Sequence, residues 1–305
     1  MTEDEEMTSS DSADDRREIV DRYFAAEPSA RERSRMQLYV FGGVAAILVG
    51  VIASIAGSWV FGVFAVVGGG FAVGRGLPLF EAYRAAQEAA SPKPRDAIID
   101  KIRDHELGKV RRRALDRLDL TTEDLELDPV DWDPLAEPGL GARPREPLVV
   151  TGPVPASDVV VGRDGVWRFS QYAVLVICPT DYHLGLYRCV IDLRVAGLFQ
   201  EETHEYHYTD VVAVSTAIRK GGRIAARVVD ADESAFRFES VLLHEFRLVV
   251  SSGDSSTIVF GISDERRPDH RAELPATGID NVVRAVRSML RDKKGTAAGP
   301  EISPR

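Results

Sequence analysis

Residues 38–74 read LYVFGGVAAILVGVIASIAGSWVFGVFAVVGGGFAVG, and this stretch decides the architecture. No charged side chain interrupts it, and Arg75 is the first to follow. A bilayer core about 30 Å thick is crossed by roughly 20 apolar residues of helix. The stretch is nearly twice that long, so it predicts two helices joined at Gly57-Ser58 rather than one that would overshoot. A soluble surface helix would show an apolar stripe, not an apolar circumference. A cleaved secretory signal would begin closer to the N-terminus and carry a shorter apolar core.

The flanks orient this hairpin. Arg31, Arg33 and Arg35 precede it, Arg75, Arg84, Lys93 and Arg95 follow it, and the connecting turn carries no charge. By the positive-inside rule both termini are expected in the cytoplasm, giving a two-pass protein of the cell (inner) membrane. Small residues recur every fourth position at Gly42, Ala46, Gly50, Ser54 and Ser58, with a sparser row at Gly62, Gly70 and Gly74. Such rows let helix backbones approach where lipid supplies no hydrophobic drive. They are expected to seal the hairpin or join it to another copy as a homo-oligomer.

Outward from the hairpin the composition changes. The leader up to Arg35 and the stretch Thr121–Glu146 are acidic or mixed in charge, and the formal net charge is −10. Nucleic-acid binding needs a clustered basic field, so no nucleic-acid partner is expected. Pro78 is expected to end or kink the second helix. Leu79–Ala90 reads as a short helix, and Ile98, Ile102, Val110, Ala114 and Leu118 give 95–120 a helical period with Arg111, Arg112 and Arg113 beside it. Thr121–Glu146, punctuated by Pro129, Pro134, Pro138 and Pro144, reads as a spacer that cannot bury enough apolar surface to fold alone.

From Pro147 the pattern becomes strand-like: 159–161, 166–169, 172–178, 184–193, 205–208, 211–215, 224–229, 236–243, 246–251 and 257–262, divided by turns such as Arg163-Asp164-Gly165 and Ser252-Gly253-Asp254. An antiparallel sheet bent into a barrel or sandwich is expected. One helix closes it. Ile279, Val282, Val283, Val286, Met289 and Leu290 form a single apolar stripe, Thr277 and Asp280 resemble a capping box, and Arg291, Lys293 and Lys294 suit the helix C-terminus. The resulting division is an acidic disordered leader (1–35), a transmembrane helical hairpin (36–78), cytoplasmic amphipathic helices (79–120), an acidic Pro-rich linker (121–146), a β-domain with its C-terminal helix (147–294) and a disordered tail (295–305).

Chemistry-bearing motifs are sparse. Cys178 and Cys189 fall within apolar strands, opposite about Leu184 and Ala173 across the expected hairpin, and read as two buried thiols. His204 and His207 sit near Glu201, Glu202 and Glu205, but strand alternation sends the imidazoles to opposite faces. His244-Glu245 lacks the second histidine of a zinc-protease helix. No phosphate loop, nucleophile elbow or Cys-x-x-Cys occurs, so no catalytic, metal or cofactor residue is assigned and no cofactor is expected. The most suggestive polar feature is the basic tip Arg219, Lys220 and Arg223 around Gly221-Gly222, a candidate contact for an anionic ligand.

Antiparallel strands followed by one amphipathic helix, together with Glu205-Tyr206-His207-Tyr208-Thr209-Asp210-Val211-Val212-Ala213-Val214, resemble the pleckstrin-homology-like (PH-like) fold of bacterial membrane-associated proteins over about 159–294. The resemblance implies an α+β membrane protein in which a C-terminal helix plugs one end of a bent sheet. That fold hosts lipid binders, peptide binders and scaffolds alike. The expectation is a membrane-anchored, non-enzymatic adaptor whose β-domain meets membrane lipid or a protein partner near the inner leaflet. A membrane-bound enzyme, or enzyme subunit, whose site is assembled from distant residues stays open as the alternative.

Overall fold

A computed structural model describes residues 3–25, 30–56, 58–126, 145–195, 197–228, 236–238, 240–267, 271–275 and 277–297. Gly57 and most of the linker expected at 121–146 lie outside the described residues. The chain divides into two compact units, one holding residues 18–95 and the other the first 17 residues with residues 96–229 and 235–305.

Helix α1 (Glu3–Phe24) occupies the leader that composition alone marks as disordered. Its second half carries an apolar cluster that composition averages away: Val20, Tyr23 and Phe24 are buried, and the two rings meet edge-on at 5.2 Å. Glu18 and Arg22 add an ion pair one turn apart.

Helices α2 (Ala30–Ile55) and α3 (Trp59–Ala90) are each long and apolar enough to cross a membrane. Pro78 lies inside α3 rather than ending it; one missing backbone hydrogen bond is a local cost that a 32-residue helix absorbs. The two helices pack through glycines spaced by seven, Gly43 and Gly50 against Gly62, Gly69 and Gly76. A Cβ on Gly69 would fall 2.6 Å from the Gly43 carbonyl oxygen, and one on Gly50 would fall 2.8 Å from that of Gly62. Of the residues read as packing rows, Gly50, Ser54 and Gly62 meet here, Ser54 also donating to the Gly50 carbonyl at 2.9 Å. Ala46 is half-buried, whereas Gly42, Gly70 and Gly74 have nothing within 4 Å of a Cβ position and face away from the partner helix. Within the hairpin the glycine contacts repeat every seven residues, because helices lying nearly side by side meet once every two turns.

Among the described residues the β-domain holds three sheets. The first is antiparallel, in the order β1 (Leu148–Pro153), β4 (Gln171–Pro179), β5 (His183–Asp192), β6 (Gly197–His207). The second has the order β11 (Ser255–Asp264), β10 (Val241–Val250), β7 (Val211–Lys220). The third is β3 (Trp167–Phe169), β2 (Val159–Val161), β8 (Ile224–Val228), β9 (Phe236–Phe238), with β2 and β8 parallel. Helix α5 (Ile279–Ala297) follows.

β1 runs against β11, and a side chain at Gly152 would overlap the Val259 carbonyl, yet no ladder joins the two strands. The expected barrel is therefore not closed. Runs 236–243 and 246–251 also resolve differently: β9 is a short separate strand, and β10 passes through a bulge at His244/Glu245 without a turn.

Leu175, Ile177, Leu184 and Leu186 of the first sheet meet Phe246, Leu248 and Ile258 of the second and Val282, Val286 and Met289 of α5 in one core. Each such side chain contributes about 1.5–3 kcal/mol when fully buried. The opposite face of the first sheet, with Val174, Val176, Cys178, Tyr187, Cys189 and Ile191, is buried as well. Helix α4 (Asp96–Arg117) accompanies it, burying Ile99, Val110 and Ala114, while Leu118 approaches Gly185, where a Cβ would lie 3.1 Å from its Cδ1. Burial on both faces accounts for the unbroken apolar run of β4. Cys178 pairs with Gly185 and Cys189 with Val174, one position from the sequence expectation.

Candidate functional site

Strand β7 begins after a single 3-10 turn, Tyr208–Asp210. Tyr208 anchors that turn: its hydroxyl donates to the Thr180 carbonyl and lies 3.5 Å from Met289 Sδ, and Ser251 N–H donates to the Asp210 carbonyl at 2.7 Å. From there β7 pairs with β10 along Val211–Lys220, and it is the last strand of its sheet. Among the described residues nothing pairs with its second edge.

Helix α5 sits beside that edge. It starts after Gly278, held at φ +72° where a side chain would strain the backbone, and the Thr277 carbonyl accepts from Thr151 N–H at 3.1 Å. The expected capping residue thus ties the helix start to β1. With the apolar stripe fixed in the core, helical spacing places Arg284, Arg287, Arg291 and Lys294 along the flank facing β7. Val211, Val212, Ala213, Val214, Arg287, Leu290, Arg291 and Lys294 line one stretch of the resulting groove. Thr216, Phe260, Asp280, Val283 and Arg284 continue it toward the start of α5.

The groove is electropositive. Lys294 Nζ donates to the Val211 carbonyl at 2.6 Å, and Arg287 Nη2 lies 3.5 Å from the Val214 carbonyl. These are β7 backbone acceptors met by side chains where a neighbouring strand would otherwise donate. Among the described residues no carboxylate pairs with Arg284, Arg287, Arg291 or Lys294, and Asp280 is the one acidic side chain lining the groove.

The basic tip is placed differently. Arg219 reaches Glu245 at 3.5 Å, and Lys220 pairs with Glu265, whose carboxyl is held below its usual pKa first by Lys220 and then by Ser240. Both cations therefore meet carboxylates of the protein itself, and Arg223 is exposed nearby. The tip and the α5 flank are separate features. The four α5 cations carry a sequence signal, the i, i+3, i+7, i+10 spacing beside the apolar stripe, but reading Arg291 and Lys294 only as dipole complements conceals it.

The other polar clusters hold elements together. Glu201 accepts from Tyr187 Oη at 2.8 Å and from Arg113 Nε and Arg117 Nε of α4 at 3.2 and 3.3 Å. The Tyr187 hydroxyl first, then the two guanidinium groups, lower its pKa to about 2. Burial pushes the Glu106 carboxyl up, but hydrogen bonds from Lys109 and Arg16 outweigh it and hold the pKa below its usual value. Burial pushes both cysteine thiols up to about 12.

His204 stacks on Tyr206 at 5.7 Å, and His207 stands opposite His183 in the β5–β6 register. Among the described residues no group of three His, Cys, Asp or Glu side chains is placed to hold a metal. His244 Nε2 lies 3.0 Å from Ser263 Oγ, but Ser263 is fully buried and open to no substrate. No family model, curated protein or solved structure matches the chain.

Proposed function

We propose that the chain is a two-pass membrane-anchored adaptor, both termini cytoplasmic, whose PH-like β-domain binds a protein partner or an anionic headgroup near the inner leaflet. The observation that carries the binding role is the groove between the unpaired edge of β7 and the cations of α5. A sheet edge that among the described residues pairs with no further strand invites pairing, and here side chains of α5 meet only its Val211 and Val214 carbonyls.

The anchor is supported by α2 and α3, whose apolar side chains point outward: Leu38, Phe64 and Ile55 are 72%, 74% and 83% exposed. A helix that is apolar and unburied all round is suited to lipid, and the cations at both outer flanks orient it. The PH-like reading is supported by topology. Set aside the third sheet, which is built from two excursions of the chain, and among the described residues seven strands remain, a four-stranded and a three-stranded antiparallel sheet followed by one helix.

Membrane fractionation of the full chain tests the reading. Retention in the pellet after alkaline carbonate, with protease digesting the β-domain in inverted vesicles but not in intact spheroplasts, is the expected result. Release by carbonate, or digestion from the outer side, would overturn it.

A further inference from the structure

We propose that the cleft between β10, β11 and the start of α5 binds a small zwitterion, a free α-amino acid with an apolar side chain. Its carboxylate meets Arg271, its ammonium meets Asp280, and its side chain lies on Phe260 and Leu274. Such a site would give the adaptor a small-molecule input, and it stands whether or not the groove along β7 is occupied.

The walls of the cleft are built from unusual stretches of backbone. The bulge of β10 at His244/Glu245 falls in one wall, and a bulge re-aims the side chains around it. Gly261 stands opposite His244 in the ladder, where a Cβ would lie 3.2 Å from that of His244, so the imidazole keeps room that a larger residue would take. Residues 271–275 form a second wall. Arg271 bridges to Ser263 at the end of β11, Ala272 N–H donates to the Ile262 carbonyl at 2.9 Å, and the Glu273 carbonyl accepts from Trp167 N–H at 2.7 Å. The space between the walls is about 530 Å³, within the roughly 300–1,000 Å³ usual for small-molecule sites.

Opposite charges without partners line this space. Among the described residues Arg271 and Asp280 form no ion pair, either with each other or with a third residue. Two unlike charges held apart are complementary to a ligand that carries both, whereas a simple anion or cation would leave one of them unanswered. Arg271 offers forked donors suited to a carboxylate, and Asn281 adds a neutral amide. His244 Nε2 is engaged with Ser263 Oγ at 3.0 Å, which leaves Nδ1 for a ligand. Burial first, then Arg271, hold the His244 pKa below its usual value, so the ring is neutral at pH 7 and leaves the positive charge to Arg271. Phe260, with its ring 6.2 Å from that of His244, and Leu274 supply apolar surface beside these groups.

Isothermal titration calorimetry of the full chain in detergent micelles tests the site, with L-leucine and L-phenylalanine as probes and the methyl ester and N-acetyl derivative of each for comparison. Binding of the free amino acids that weakens about tenfold or more in either derivative is the expected result, since each leaves a charged group unanswered. Arg271→Gln is expected to weaken the free amino acid by a similar factor yet leave the methyl ester unchanged, and Asp280→Asn to do the same with respect to the N-acetyl form. Both residues are exposed, so neither variant is expected to alter the circular dichroism spectrum. A derivative bound as tightly as its parent would overturn the zwitterion match, as would a variant that weakens parent and matching derivative alike. No binding heat at millimolar amino acid, from a chain with a native spectrum, would overturn the site. That result would leave retention in the membrane pellet untouched, so this inference and the membrane-anchored reading fail separately.

Discussion

Arg168 on β3 and Asp100 on α4 form a two-pronged ion pair, Nε to Oδ1 at 3.0 Å and Nη2 to Oδ2 at 2.8 Å. Arg168 is 2% exposed, and Asp164, three residues before the start of β3, grips the same guanidinium from the other side at 2.9 and 2.7 Å. The third sheet is thereby fastened to the helix that lies on the first.

Removing one partner of this pair leaves a buried cation half compensated. Asp100→Ala is expected to destabilise the β-domain by about 2 kcal/mol, below the 3–5 kcal/mol of a fully orphaned pair because Asp164 remains. Replacing both, as Asp100→Leu with Arg168→Met, is expected to cost less than Asp100→Ala alone. Denaturant midpoints followed through the fluorescence of buried Trp167 check the order; a double variant weaker than the single would contradict it.

Acid should loosen α4 before it unfolds the core. The Glu201 carboxyl stands at about 2 in the folded chain against an ordinary 4.5, and Asp164 at about 2 against 3.8. A depressed folded pKa means that the unfolded chain binds more protons as pH falls, so this stabilisation is full above about pH 5 and is lost on the way down to about pH 2. Glu201→Gln is expected to flatten the fall in melting temperature between those limits while lowering the value at neutral pH. A wild-type melting temperature independent of pH over that window would refute the assignment.

Thiol chemistry reports on the same interface. Cys178 and Cys189 are buried, free and strongly disfavoured as thiolates. Dithionitrobenzoate is expected to label neither in the native chain and both after denaturation. Rapid native labelling would mean that the α4 side of the sheet opens readily.

The glycine spacing of the hairpin separates two kinds of substitution. Gly69→Leu drives a side chain into the Gly43 carbonyl and Ile47, whereas Gly70→Leu enters open space. The first is expected to lower the thermal stability of the detergent-solubilised hairpin by several degrees, and the second to leave it within error. Equal loss in both would point to packing against another copy through the outward face.

Much of this architecture is already written in local sequence. An apolar stretch free of charge, an apolar stripe of period 3.6 in α5 and strand-like runs divided by Gly and Asp turns depend only on neighbours along the chain, and all three appear in the structure. Strand β1 escaped because Leu148–Pro153 ends in Gly-Pro and offers little alternation. The helical leader escaped because Val20, Tyr23 and Phe24 are too few to offset its charge in an average.

What only the tertiary structure decided is which surfaces meet. The glycines of α3 are equally small at 69 and 70, and only the path of α2 makes one a contact and leaves the other open. The parallel pairing of β2 with β8, and the exposure of the second edge of β7, depend on strands far apart in the chain. A one-residue periodicity reports which face of an element is buried, but not what buries it. Partner choice is a property of long-range packing, so the groove that the cations of α5 make with β7 existed only once the chain had folded.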